Sequence, residues 1–175
     1  RFWMDRIKGD EDPRSFQHMM DPIRACILRD GRHTSELTCS YIRGLLKELN
    51  LTKLNHHAAI IIKLCGGTSP PQTTHEDDRD IEIRFNKIME LYDVVNPDRC
   101  NKPYYPYFIY KIIQNKFEGN IEMLRLLEYI HLQSDLTVIK NDNYYQQICD
   151  LADPEDGLTF RVTDIGRAKA FYSAA

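Results

Sequence analysis

The stretch TCSYIRGLLKELNLTKLNHHAAIIIKLCGG, residues 38–67, carries the punctuation and the spacing that decide the fold class. Thr38 is a good N-cap for a helix over 39–49, and Ile42, Leu45, Leu46 and Leu49 fall on one apolar stripe of it. Thr52 opens a second helix that runs to Leu64. Gly66-Gly67 stops it, since glycine accepts the left-handed backbone that closes helices. Two capped helices in thirty residues, with no alternating apolar run between them, predict helix-on-helix construction.

Working outward, the same signals recur. Phe2, Trp3 and Ile7 share a face of a short first helix. Asp21-Pro22 reads as a cap followed by proline at the first helical position, opening a helix over 23–28 that Gly31 ends. Pro70-Pro71 marks a loop. Thr74 caps a long helix whose first turn holds Glu76, Asp77 and Asp78, where the helix dipole favours negative charge. Its stripe is Ile81, Phe85, Ile88, Met89 and Tyr92, and Asn96-Pro97 breaks it. Helices are also predicted over 107–117, 121–130 and 137–151, with a terminal one from Asp164 through Ala174. Residues 158–163 alternate and read as a short strand or an extended arm. The expectation is a single all-α domain over 1–175, of about seven helices.

The segment NKPYYPYFIYKII, residues 101–113, crowds Tyr104, Tyr105, Tyr107, Phe108 and Tyr110 between Lys102 and Lys111. Exposed aromatics with basic neighbours make stacking platforms for single strands. Aromatics at helical period more often form core. The core reading is favoured, with Phe108 inside and Tyr104, Tyr105 and Tyr107 partly exposed.

Composition narrows function. With a net charge of −3, the chain as a whole is not a basic nucleic-acid clamp, so any DNA contact has to come from a local patch. Two patches stand out. Arg43, Lys47, Lys53 and Lys63 lie on successive helices, and Arg99, Lys102, Lys111 and Lys116 decorate the aromatic segment. Either could neutralise phosphates, and either could be a solvated outer face. The five cysteines lie apart without a C-x-x-C pair, which argues against a disulfide framework or a zinc ribbon within the chain and fits a reducing compartment. No apolar run approaches a membrane span. Phosphate-loop, dinucleotide and nucleophile-elbow motifs are missing. His56-His57 point about 100° apart on a helix and lack a second ligand pair, and Glu76, Asp77, Asp78, Asp80 and Glu82 read as a solvated helix start. The chain is therefore read as a non-enzyme without a metal of its own.

The order of these blocks resembles the poxvirus late transcription factor three family of nucleocytoplasmic large DNA viruses. FWMDRIKG is similar to its opening helix. LTCSYIRGLLKELNLTKLNHHAAIIIKLCGGTSPP is similar to its most characteristic block, NPDRCNKPYYPYFIYKII to its tyrosine-rich helix, and NDNYYQQICDLADPEDGLTFRVT to its Trp-x-x-Ile-Cys block. The sequence departs from that pattern at Asn96 for a cysteine, Tyr145 for the tryptophan, Asn55-His56-His57 for a Tyr-Glu-His, and Gln133-Ser134-Asp135 for a Lys-Ser-Arg. The last change removes two positive charges.

The resemblance implies a non-catalytic late transcription factor working with viral RNA polymerase, other viral factors or promoter DNA. It would act in the cytoplasmic viral factory or nucleus of an infected cell, with packaging into the virion as a further expectation. It also implies a zinc-binding segment ahead of the domain in many members, so any zinc would lie before residue 1. Zinc ribbon followed by helical domain is likewise the layout of transcription factor IIB, whose helical part is cyclin-like. That analogy offers a cyclin-like form for this one. The alternative is a virion structural or capsid-associated protein built on a degenerate copy of the domain.

Overall fold

Thr38 starts its helix through its side chain: Oγ1 accepts from the Tyr41 amide at 3.1 Å, and the helix α3 runs Cys39–Glu48. The computed structural model describes residues 2–98, 102–163 and 165. Within them lie eight α-helices, linked by 3-10 turns, and no strand. α1 is Phe2–Lys8, α2 Gln17–Asp30, α4 Ala58–Leu64, α5 His75–Val95, α6 Tyr105–Lys116, α7 Ile121–Leu124 and α8 Asp135–Leu151. The chain is all-α, as its periodicity predicts. The terminal helix expected over 164–174 falls, apart from Ile165, outside the described residues.

Local chemistry explains most boundaries. Thr74 and Asp77 form a reciprocal capping box at the start of α5, each side chain accepting from the other's amide. Gly66 closes α4 at φ +81°; its amide donates to the Lys63 carbonyl and the Gly67 amide to that of Ile62. This is a Schellman closure. Gly67 is required there by contact rather than by backbone angle. A Cβ would stand 2.5 Å from Ile62 Cγ2 and 3.1 Å from the Ile62 carbonyl oxygen.

Several predicted details are corrected. α2 begins at Gln17, so Pro22 lies inside it and not at its start. The proline lacks the amide that would bond to the carbonyl of His18, but His18 is exposed in the first turn, where water can serve. Residues 52–57 form a 3-10 turn ahead of α4, and Thr52 does not cap it. The segment expected as one helix over 121–130 is the single turn α7 followed by a 3-10 turn, Arg125–Tyr129. In α1 the buried apolar residues are Met4 and Ile7, while Phe2 is 62% exposed under the Arg6 guanidinium.

Two helical groups share one core. α2, α3, α4 and α1 pack together at one end, and α5, α6 and α8 at the other. The turn Arg125–Tyr129 touches both α1 and α6 and joins the groups. α6 is central: every residue from Pro106 to Ile113 is buried. A helix apolar all round must be wrapped on all sides, which settles the aromatic segment as core. Tyr107 is fully buried, against the expectation of partial exposure, and Tyr105 stays partly open. Residues 158–163 make no strand. They lie as an extended arm on α6 and α8, held by the contacts described next.

Candidate functional site

Lys111 shows how far a charge can sit from where spacing suggests. It is 1% exposed, and its ammonium donates to the Arg161 carbonyl at 2.6 Å and stands 3.4 Å from Asp142 Oδ1. Asp142 also accepts from the Tyr107 hydroxyl, the Thr163 amide at 2.9 Å and the Thr163 hydroxyl at 2.6 Å. Burial lowers the Lys111 pKa, with Asp142 opposing. This network clamps the arm onto α6 and α8. Lys111 is therefore an internal strut, and its place among surface phosphate contacts is corrected.

The remaining basic candidates divide by exposure. Arg43 is 9% exposed, and its Nε donates to the Asn55 carbonyl at 3.0 Å, bracing α3 against the following turn. Lys63 is partly buried; its Nζ donates to the Gly9 carbonyl at 2.9 Å and lies 3.7 Å from Asp10. Lys47 and Lys53 are exposed at the α3 corner, and Lys102 is exposed ahead of α6. Arg99 lies outside the described residues. Lys116, at the end of α6, is tied to Asp80 at 2.8 Å. Lys47, Lys53 and Lys102 are thus the side chains among these that present their charge outward.

A second assembly has no local signal in the sequence. His56 meets the Trp3 ring edge to face at 5.0 Å and the His131 ring at 5.6 Å, and Tyr104 donates to the His131 carbonyl at 2.5 Å. The Arg6 guanidinium covers the Trp3 ring at 4.5 Å. Four separate segments supply these groups, so spacing could not group them. Burial pushes both imidazoles down to about 4; Arg6 and Arg43 reinforce this at His56, and Arg43 at His131. Both rings stay neutral in the fold near pH 6.5, while unfolded histidines take up protons as the pH falls through that value. Stability should therefore drop between pH 6.5 and about 4. His56→Phe/His131→Phe should flatten that part of the pH profile, measured by urea unfolding; an unchanged profile would remove the assignment.

The same surroundings disfavour a metal. The two imidazoles stand in the field of guanidinium groups, and among the described residues no three His, Cys, Asp or Glu side chains gather as a metal-binding group. Among the described residues Cys26, Cys39, Cys65 and Cys149 are unbridged, and they do not gather with other ligands into a zinc-type set.

With this geometry in hand, comparison with known proteins is specific. The family model described as Poxvirus Late Transcription Factor VLTF3 like matches residues 1–154. The chain belongs to this family. This VLTF3-like chain is similar to "Zinc finger protein B385R" of African swine fever virus (isolate Pig/Kenya/KEN-50/1950), 33% identical over 159 residues, covering 85% of this chain and 41% of the relative. The same protein from the Warthog/Namibia/Wart80/1980 isolate matches equally. "Putative transcription factor R429" of Acanthamoeba polyphaga mimivirus is 26% identical over 121 residues, covering 66% of this chain and 26% of that protein. The chain thus spans less than half the length of these relatives. No solved structure matches it, and the cyclin-like form stays an analogy of layout.

The VLTF3-like match takes in α1 to α8 and ends just before the arm. Tyr145, which stands where the family resemblance places a tryptophan, is 1% exposed among Tyr107, Phe108 and Phe160, so the substitution keeps an aromatic in the core. None of the described helices is long and apolar enough to cross a membrane.

Proposed function

We propose that this chain acts without catalysis in late transcription of a large DNA virus, bringing the viral RNA polymerase together with promoter DNA or another viral factor. The observation that carries the reading is the family match over residues 1–154. The relative named a transcription factor in mimivirus supports it. A non-catalytic role is supported by what the shifted groups do. Burial pushes the Cys39 and Cys149 thiols up to about 11, the wrong direction for a nucleophile. The lowered lysine is spent on holding the arm. The place of action is the infected cell, in its viral factory or nucleus.

Direct DNA contact, on this reading, runs through Lys47, Lys53 and Lys102. Binding of double-stranded DNA should weaken steeply with salt, and replacing all three by glutamine should reduce the log–log slope by roughly 0.9 for each phosphate no longer neutralised. The measurement is a salt titration of the full-length protein with and without the viral polymerase. Binding that needs polymerase assigns a bridging role with no direct promoter grip. An unchanged slope removes these lysines as contacts. No binding in either arm favours the virion structural alternative, which a stoichiometric count in purified particles would then decide.

A further inference from the structure

A groove of about 590 Å³ opens between α1 and α5, away from every residue assigned above to DNA. Its apolar lining is Trp3, Met4, Ile81, Phe85 and Ile109. Its rim carries four carboxylates, Asp5, Asp10, Asp78 and Glu82, against the cationic side chains of Lys8 and Arg79. The Lys8 ammonium is already committed, 3.0 Å from Asp78 and 3.7 Å from Asp10. Among the described residues Asp5 and Glu82 make no ion pair and neither does Arg79, so the uncommitted groups at the rim are two carboxylates against one guanidinium. The volume falls within the range of working ligand sites, and the mix of apolar lining and a few polar groups at the edge is what such sites share.

The sign of the rim chooses the occupant. Carboxylates repel a phosphate backbone, so this is not a nucleic-acid groove. They attract lysine and arginine, and the aromatic lining takes an aliphatic or aromatic anchor. We propose that the α1–α5 groove docks a basic, amphipathic segment of a protein partner. The anchor seats between Trp3 and Phe85, and flanking cations meet Asp5 and Glu82. This site is independent of the promoter-contact reading: it would stand if the exposed lysines bound no DNA, and it could fail while they did.

Trp3 lines the groove and is the chain's one tryptophan, so its fluorescence reports occupancy directly. The test titrates the full chain with a tryptophan-free synthetic peptide, Ac-RKLLRKILRK-NH2, and with its charge-reversed counterpart, Ac-EDLLEDILED-NH2. The basic peptide should give a saturable change in Trp3 emission that weakens with salt, and the acidic one none. Asp5→Arg/Glu82→Arg should weaken the basic peptide about tenfold. Both positions lie at the rim, and circular dichroism with the melting curve certifies that the variant folds. Should either side chain prove needed for folding, the single variants Asp5→Asn and Glu82→Gln carry the test. Equal response to the two peptides, no response at millimolar peptide, or affinity unmoved by the variants would overturn the proposal. So would double-stranded DNA alone producing the same saturable change in Trp3 emission.

Discussion

Asp142→Ala should cost about 3–5 kcal/mol of folding free energy, read as a fall in the urea midpoint, because it strands a buried ammonium without its counter-charge. The same change removes the acceptor of the Tyr107 hydroxyl and of both Thr163 donors. Each buried donor left unmet adds about 1–3 kcal/mol in general, so the total lies at the upper end of that range. Lys111→Met should cost less than Asp142→Ala, because the carboxylate it leaves behind is still met by hydrogen-bond donors. It deletes the charge together with its desolvation cost, and leaves Asp142 with its three hydrogen-bond donors. The two variants also differ in pH dependence. Burial lowers the Lys111 pKa below its ordinary 10.5, so at high pH the folded chain sheds this proton before the unfolded chain does. Wild type should therefore gain on Lys111→Met as the pH rises towards 10.5. Equal destabilisation by Asp142→Ala and Lys111→Met would show that the network is not organised around the carboxylate.

Phe108→Ala is the second large effect, about 3–5 kcal/mol from the missing transfer energy and the cavity it opens. Phe108 is fully buried at the centre of α6 and meets Tyr92 edge to face at 5.7 Å and Tyr107 at 5.0 Å. α6 is enclosed by α5, α8 and the Arg125–Tyr129 turn, so little can collapse into the hole. Phe108→Leu should cost less, since it retains most of the volume. Thermal and urea unfolding of both variants would check the order; an alanine cost under about 1 kcal/mol would mean that the site collapses freely.

The helices were legible where the signal was local. Thr38 and Thr74 act as caps within one turn of themselves, and Gly31 and Gly66 close helices through their own backbone angles. Pro22 misled because proline is a start signal only when the preceding turn cannot be helical, and here residues 17–21 are. α8 mixes its faces: Val138, Tyr145 and Ile148 are buried at helical spacing, but Asn141 and Asp142 are buried between them while Leu136 and Ile139 are exposed. The burial of Asp142 and the misplacing of Lys111 have one cause. Asp142 and Lys111 belong inside only because they meet each other and a segment that returns from residues 161–163. Neither residue's neighbours in sequence carry that information. The Trp3–His56–His131 junction and the α1–α5 groove were illegible for the same reason, since each is made by segments that only the packed fold brings together.

The clamp on the arm also sets an order of events during synthesis. α6 is finished, as a chain, when Lys116 leaves the ribosome, yet the ammonium at its centre meets its counter-charge only when Asp142 has followed and its carbonyl acceptor only at Arg161. For those intervening residues the most apolar helix of the protein holds an unmatched charge, which keeps it from settling early against α5. Translation therefore delivers the lock after the bolt. The domain should commit to its fold late and in one step, with a partly made chain held open and within reach of chaperones until its last clamping residue emerges.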